Sequence, residues 1–311
     1  MYVTGGGVEG MLYKLTPAGK VAGKVEVGHT PMSPVVSADG SAVYVLSRFG
    51  NAVVKVDAAK MEVSDRVAAL REPDAAVFGA GGRLLFVANH LPYCRATDDV
   101  VSAAVTVIDA ATFKVLRQVP LPNGSTGVRG IGASPDGKFV YVTHTFGRYQ
   151  LPTTQLERGW MNTAGLSVLN GETGEYVNTA LLDDVDLGAA NPWGVAVTPD
   201  GKRLLVAHAG TREISVIDRE AFHARLDKAA RNEKVTEVTK SAADVPNDLS
   251  FLVTIRTRVK LNADGPRGLA VADGRVFAAC YFADALAEVK LDDAALKATP
   301  LVLTSAEATE E

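Results

Sequence analysis

The chain has 311 residues, 47% of them hydrophobic and 22% charged, which is enough apolar matter for a sizeable core and too much for a disordered chain. Its 32 Lys and Arg against 36 Asp and Glu leave a formal net charge of −4. This excludes a general nucleic-acid binder, which needs a basic excess to replace counterions, and gives no reason for an anionic membrane surface as partner.

No apolar run reaches the roughly 18 residues of a transmembrane helix. Residues 1–30 lack the basic start and apolar block of a signal peptide. Cys94 and Cys280 are the two cysteines; they form neither a disulfide framework nor a CxxC pair, so the redox compartment stays open.

In chain order, the residues from Met1 to Thr4 already read as a strand, so the chain is expected to begin inside a structural unit. That unit offers strands at 2–4, 11–15 and 23–27 and lacks a first strand. A pattern then recurs: a short apolar strand, a turn, a second apolar strand, and a third strand, mostly ending in Asp or Asn. The turns are Asp39-Gly40, Gly81-Gly82, Asp136-Gly137, Asp200-Gly201 and Asp273-Gly274. Asp-Gly supplies the positive φ of a tight hairpin. Second strands follow at 42–45, 84–87, 139–142, 204–206 and 276–278, and third strands at 53–57, 105–109, 166–170, 214–218 and 287–291. A fourth closes each unit, as at 115–119 and 254–259. The turn glycines are 42, 55, 64 and 73 residues apart, so the shortest spacing is the bare unit. Four antiparallel strands in that length are one propeller blade. The expected fold is therefore all-β: a single β-propeller domain over residues 1–311, with six repeats visible and six or seven blades. A β-sandwich with regular turns is the competing fold, but sandwiches do not repeat a motif so faithfully.

Three insertions interrupt the repeats, near 90–100, 146–163 and 219–250. The third starts with a helical pattern over 220–233, with Phe222, Leu226, Ala229 and Ala230 on one face and Asp218 as N-cap. The first two follow second strands and should share one face of the ring. With Arg148, Tyr149, Gln150, Gln155, Arg158 and Trp160 they suit a polar ligand cleft or a docking surface; the alternative is a lid that seals the channel and binds nothing.

Two sets of side chains recur at equivalent places. Ser47, Asn89, His144, His208 and Cys280 end second strands, and His90 follows Asn89. His90, His144, His208 and Cys280 are of the types that hold zinc or copper, or else they hydrogen-bond loop backbone. His29 reads as structural and His223 as a solvated residue of the inserted helix. Before the first strands, Met32, Arg129, Trp193 and Arg267 border the expected channel. Two arginines beside an indole can hold an anion or a sugar, or can be tied to neighbouring carbonyls.

The segment Ser134-Pro135-Asp136-Gly137-Lys138-Phe139-Val140-Tyr141-Val142-Thr143-His144 resembles the YVTN-type bacterial β-propeller repeat, and the resemblance covers nearly the whole chain. That family is usually seven-bladed, against six units here; a strand upstream, or residues 300–305, would complete the first unit. The stretches 148–163 and 244–252 resemble a narrower subgroup, in which such a propeller precedes a c-type cytochrome, peroxidase-like domain in one exported polypeptide. The resemblance implies a periplasmic or cell-surface location and a cytochrome-like partner or adjoining domain. The sequence departs from the subgroup in having no CxxCH, so it cannot attach a c-type haem itself and no cofactor of its own is implied.

With no GxSxG, HExxH or P-loop either, the first functional reading is a non-catalytic binding or docking module. The second is a lactonase-like hydrolase or metal-dependent enzyme at the channel mouth, using His144, His208 and Arg129 or a bound cation. The third is a cell-surface structural repeat, against which the long loops count. Fold alone does not choose among them.

Overall fold

The recurrent apolar segments pair into antiparallel meanders that stack side by side. A computed structural model of the chain describes residues 1–150, 152, 160–292, 296 and 298–302. Blade 1 has three strands, β1 (Tyr2–Gly5), β2 (Gly10–Leu15) and β3 (Val21–Gly28). Blade 2 holds β4 (Pro31–Val36), β5 (Ala42–Ser47), β6 (Ala52–Asp57) and β7 (Glu62–Ala68). Blade 3 holds β8 (Pro73–Phe78), β9 (Leu84–Asn89), β10 (Ala104–Asp109) and β11 (Lys114–Pro120). Blade 4 holds β12 (Ser125–Ala133), β13 (Phe139–Gly147), β14 (Asn162–Asn170) and β15 (Tyr176–Leu181). Blade 5 holds β16 (Pro192–Val197), β17 (Arg203–His208), β18 (Glu213–Asp218) and β19 (Arg256–Lys260). Blade 6 holds β20 (Pro266–Ala272), β21 (Arg275–Cys280), β22 (Ala285–Lys290) and β23 (Ala298–Val302). The fold is a β-propeller; among the described residues it is all-β but for one α-helix and short 3-10 turns.

Burial explains the composition of the strands. β5 and β9 are buried at every residue and apolar throughout except at their last positions, because both faces of a blade lie under its neighbours. The outer strands β7 and β11 carry Glu, Asp, Lys and Arg on their exposed sides. The main apolar clusters sit between consecutive blades: Tyr44, Leu46, Leu85 and Val87 between blades 2 and 3, and Phe86, Val105, Val140 and Val142 between blades 3 and 4. First strands of neighbours meet one another (β4 with β8, β8 with β12, β12 with β16, β16 with β20), which places them around the central axis. Among the described residues blade 1 has no such strand, and its β1 meets β4 instead.

The expectation that residues 300–305, as the alternative to an upstream strand, complete blade 1 is corrected. Residues 298–302 pair with β22 as the outer strand of blade 6, and 303–305 lie outside the described residues. The Asp-Gly turns also differ from expectation. Only Asp273-Gly274 has positive φ at both residues, 50° and 69°. In blades 2, 4 and 5 only Gly40, Gly137 and Gly201 are left-handed. There a hydroxyl closes a longer loop, with Ser37, Ser134 and Thr198 donating to Asp39, Asp136 and Asp200 at 2.6, 2.5 and 2.5 Å.

The inserted helix, α1, spans Arg219–Ala230, with the Asp218 carboxylate accepting from the Ala221 N–H at 2.9 Å. It stops short of 233, where Asn232 turns left-handed. Phe222, Leu226 and Ala229 are buried and Ala230 is exposed. The helix begins where other blades make a short turn on the same Asp or Asn: Asp57, Asp109 and Asn170 accept backbone N–H groups there too. From α1 the insertion runs along β15, the outer edge of blade 4. Asn178 donates to the Ala242 carbonyl at 2.9 Å, and Leu249 packs with Leu181 and Phe146. A covered edge strand offers no unpaired ladder to other chains.

Candidate functional site

The channel mouth is built by a repeated irregularity at the start of each first strand. Thr30, Glu72, Gly127, Asn191 and Gly265 all have positive φ, from 48° to 68°. Two residues on stand Met32, Asp74, Arg129, Trp193 and Arg267. At or beside each of these the ladder to the second strand shifts register. Bulges re-aim side chains, and non-glycine residues at positive φ are uncommon, so three of them (Thr30, Glu72 and Asn191) in register with two glycines mark a built feature. Sequence reasoning found Met32, Arg129, Trp193 and Arg267 but missed Asp74. The signal was present: Pro31-Met32, Pro73-Asp74, Pro192-Trp193 and Pro266-Arg267 are one repeated dipeptide.

Around this mouth the backbones of β12, β16 and β20 approach closely. A Cβ on Gly130 would stand 1.8 Å from the Trp193 carbonyl oxygen, and one on Gly194 would stand 2.3 Å from that of Arg267. Thr143 Oγ1 also donates to the Trp193 carbonyl, at 2.5 Å. Arg129, Trp193 and Arg267 are thereby set in a row, one from each of three successive blades. The guanidinium carbons of Arg129 and Arg267 lie 4.4 and 4.3 Å from the indole, and Arg267 also lies 3.7 Å from the Tyr281 ring. Such contacts between cations and aromatic faces are each worth about 0.5–2 kcal/mol.

The remaining charges at the mouth are paired. Arg48 reaches Glu72 Oε2 at 3.0 Å and buried Asp74 Oδ1 at 3.1 Å, the latter an ion pair outside hydrogen-bond geometry. Burial raises the Asp74 carboxyl above its usual range, against the pull of Arg48. Burial, then the charge of Arg129, holds His90 below the usual imidazole range. Its Nδ1 lies 3.2 Å from the Val128 carbonyl.

The first two insertions do share a face, and one residue unites them. Asn123 Oδ1 accepts from the Val101 N–H at 2.9 Å and the Tyr149 hydroxyl at 2.7 Å, while its Nδ2 donates to Gln150 Oε1 at 2.9 Å. Around this joint Tyr93, Val100, Tyr149, Trp160 and Met161 are exposed, Met161 by 64% and Tyr149 by 60%. Arg148 is turned inward: it stacks on Phe146 at 4.9 Å and donates to Asn247 Oδ1 at 3.1 Å and to the Pro246 carbonyl. Trp160 Nε1 donates to the Asp184 carbonyl at 3.2 Å. Gln155 and Arg158 lie outside the described residues.

The ends of the second strands are not brought together. His144 Nε2 lies 2.7 Å from Ser167 Oγ and His208 Nε2 lies 2.8 Å from Ser215 Oγ, each on the third strand of its own blade. Asn89 makes the same crossing to Thr106 at 3.0 Å. Cys280 is buried against its own strand, with Sγ 3.6 Å from the Ala278 carbonyl. Burial pushes both imidazoles down to about 3, so they are neutral. Among the described residues no three His, Cys, Asp or Glu side chains gather as a metal-ligand set. His29 lies 2.9 Å from Thr30 Oγ1. His223 departs from expectation. It is not solvated but bonds the Tyr141 hydroxyl at 2.7 Å and stacks on Phe139, because α1 lays that face against the turns of blades 4 and 5.

No family model matches the chain. A stretch of 120 residues, 39% of the chain, is 28% identical to hydrazine synthase subunit beta of Kuenenia stuttgartiensis. The match spans 31% of that relative, so the shared part is about a third of its length. A solved structure of Kuenenia stuttgartiensis hydrazine synthase superposes with a TM-score of 0.59, covering 91% of this chain and 89% of that one at 20% identity. That likeness is one of fold. Among the described residues no helix is long and apolar enough to cross a membrane.

Proposed function

We propose that this propeller is an exported docking module, not itself catalytic, that seats a c-type cytochrome partner or adjoining domain on the face bearing its first two insertions. The observation that carries the reading is the ledge around Asn123. Insertions from two blades are tied into one surface, and that surface exposes Tyr93, Val100, Tyr149, Trp160 and Met161. A lid that only sealed the channel would bury such side chains; aromatic and Met side chains held at a surface suit a protein interface. The relative named as subunit beta of an enzyme supports a role within an assembly. The resemblance to propellers joined to cytochromes supports the kind of partner.

The test is co-purification from the extracytoplasmic fraction of the source cell, read by Soret absorbance. The expected result is a haem protein that travels with the wild-type chain. It should be lost on Tyr149→Asp with Met161→Asp, at an unchanged melting temperature. A captured partner without haem, or one indifferent to the double variant, would overturn the reading.

A further inference from the structure

Arg129 and Arg267 stand out at the channel mouth because, among the described residues, no carboxylate pairs with either, Asp74 acting on Arg129 only through space. Arg48 beside them has two carboxylates, and elsewhere Arg212 pairs with Asp264 and Arg258 with Asp184 and Glu213. Among the described residues neither Arg129 nor Arg267 makes a hydrogen bond or an ion pair, and the buried Nε of Arg267 has no acceptor. Each instead lies over aromatic rings, Arg129 over Trp193 and Arg267 over Trp193 and Tyr281. Stacking occupies the faces of a guanidinium and leaves its in-plane N–H edge free, the edge that grips a planar carboxylate with two parallel hydrogen bonds.

Holding Arg129 here carries a cost, since burial, and then the charges of Arg48 and Arg267, disfavour its charged form against the pull of Asp74. The fold maintains both arginines nonetheless. Glycines at 130 and 194 let the three strands approach, and a bulge in each strand aims the side chain. A cavity of about 470 Å³ opens beside Arg267, walled by Ala279, Tyr281 and Leu286 and with Asp284 also on its lining. Tyr281 and Phe282 are 62% and 68% exposed and offer apolar contact to a short carbon chain.

We infer that the mouth binds a small organic dicarboxylate, one carboxylate on the edge of Arg129 and the other on the edge of Arg267. Trp193 stands on the blade between those of Arg129 and Arg267, and both guanidiniums pack on its indole; two carboxylates of one molecule, bridging Trp193, satisfy both. Asp74, already paired with Arg48, closes the far side of the mouth to further negative charge and limits the ligand to the Arg129–Arg267 side. The site is separate from the docking ledge and does not rest on it.

Trp193 reports its own occupancy. With Trp160→Phe, Trp193 is the single tryptophan of the chain. Titration of that variant with sodium succinate or glutarate at low ionic strength is expected to change Trp193 emission saturably. Sodium acetate and sodium chloride at equal ionic strength should not. Arg129→Ala and Arg267→Ala should each weaken the diacid at least tenfold, about 1.4 kcal/mol. Arg129→Lys, which keeps the charge and loses the fork, should weaken it too, and it decides the matter if the alanine variants do not fold. A response to diacids no different from that to chloride overturns the inference. So does unchanged binding by folded Arg129→Lys and Arg267→Ala variants.

Discussion

His144 and His208 show how little a residue type says before its surroundings are known. Each imidazole is buried, neutral and bonded to a serine of the adjacent strand, an arrangement that Asn89 and Thr106 reproduce without histidine. Their pKa values fall to about 3 in the folded chain, below the unperturbed 6.5. Above pH 6.5 both states carry neutral rings and stability is full. Below it the unfolded chain takes up protons that the folded one refuses, so stability should fall from pH 6.5 towards pH 3. The expected slope is about 1.4 kcal/mol per pH unit for each ring. Urea melts of wild type and a His144→Gln, His208→Gln variant across that range check this; the variant should be less stable at pH 7 and flatter below pH 6.5. Equal slopes would mean that other groups set the acid sensitivity. The spacing of the two histidines was legible in the sequence, seven residues past the turn glycine in each case. Their meaning was not, because the serine partners come from separate stretches of chain.

At the scale of elements, the first strands carry most of the functional geometry. A glycine follows the mouth residue in β12, β16 and β20; Gly130 and Gly194 sit where the next blade's carbonyl would strike a side chain, whereas a Cβ on Gly268 would meet Ala279 Cβ at an ordinary 3.9 Å. Gly130→Ala should destabilise the chain by about 2–3 kcal/mol through overpacking against Trp193. It should also shift Trp193 emission before any ligand is added. A melt and a fluorescence spectrum of the one variant check both; a wild-type spectrum at reduced stability would place the strain away from the mouth. The repeat of strand and turn was read correctly along most of the chain. The hairpins were read as tighter than they are, because Ser37, Ser134 and Thr198 close those turns with their hydroxyls, and a turn dipeptide does not show which side chain will bond it.

Across the whole molecule, blades are held by apolar faces and by charged contacts, of which the seam between blades 4 and 5 is the most extended. Between blades 4 and 5, Arg256 reaches Asp184 and the Leu182 carbonyl, while Arg258 reaches Asp184, the Gly188 carbonyl and buried Glu213. Arg258→Met would leave Glu213 with the exposed Lys260, 2.7 Å away, as its remaining cation. Breaking a buried pair from one side strands the other charge, so the expected cost is about 3 kcal/mol. A lower denaturant midpoint at an unchanged slope would confirm it; no change in midpoint would show that solvent and Lys260 compensate. The third insertion adds a strap along β15, from α1 beside the Asp136 and Gly201 turns to Asn247 beside Arg148. The helix was expected from its cap and apolar stripe. Its path was not, since that depends on which blade edge lies nearest.

The sequence by itself determined the architecture. A unit of four short strands, repeated with the same turns, cannot bury its two faces alone and must stack, so the propeller follows from local pattern. It also determined which positions recur at the mouth, because equivalent places in equivalent blades share a register. Only the tertiary structure decided what those positions do. Whether an arginine meets a carboxylate, as Arg48 does, or the face of an indole, as Arg129 and Arg267 do, depends on residues 24 to 74 places away. The joining of two insertions through Asn123 likewise exists only once neighbouring blades are packed. Contacts between blades have no local period, and that is where the candidate sites of this protein lie.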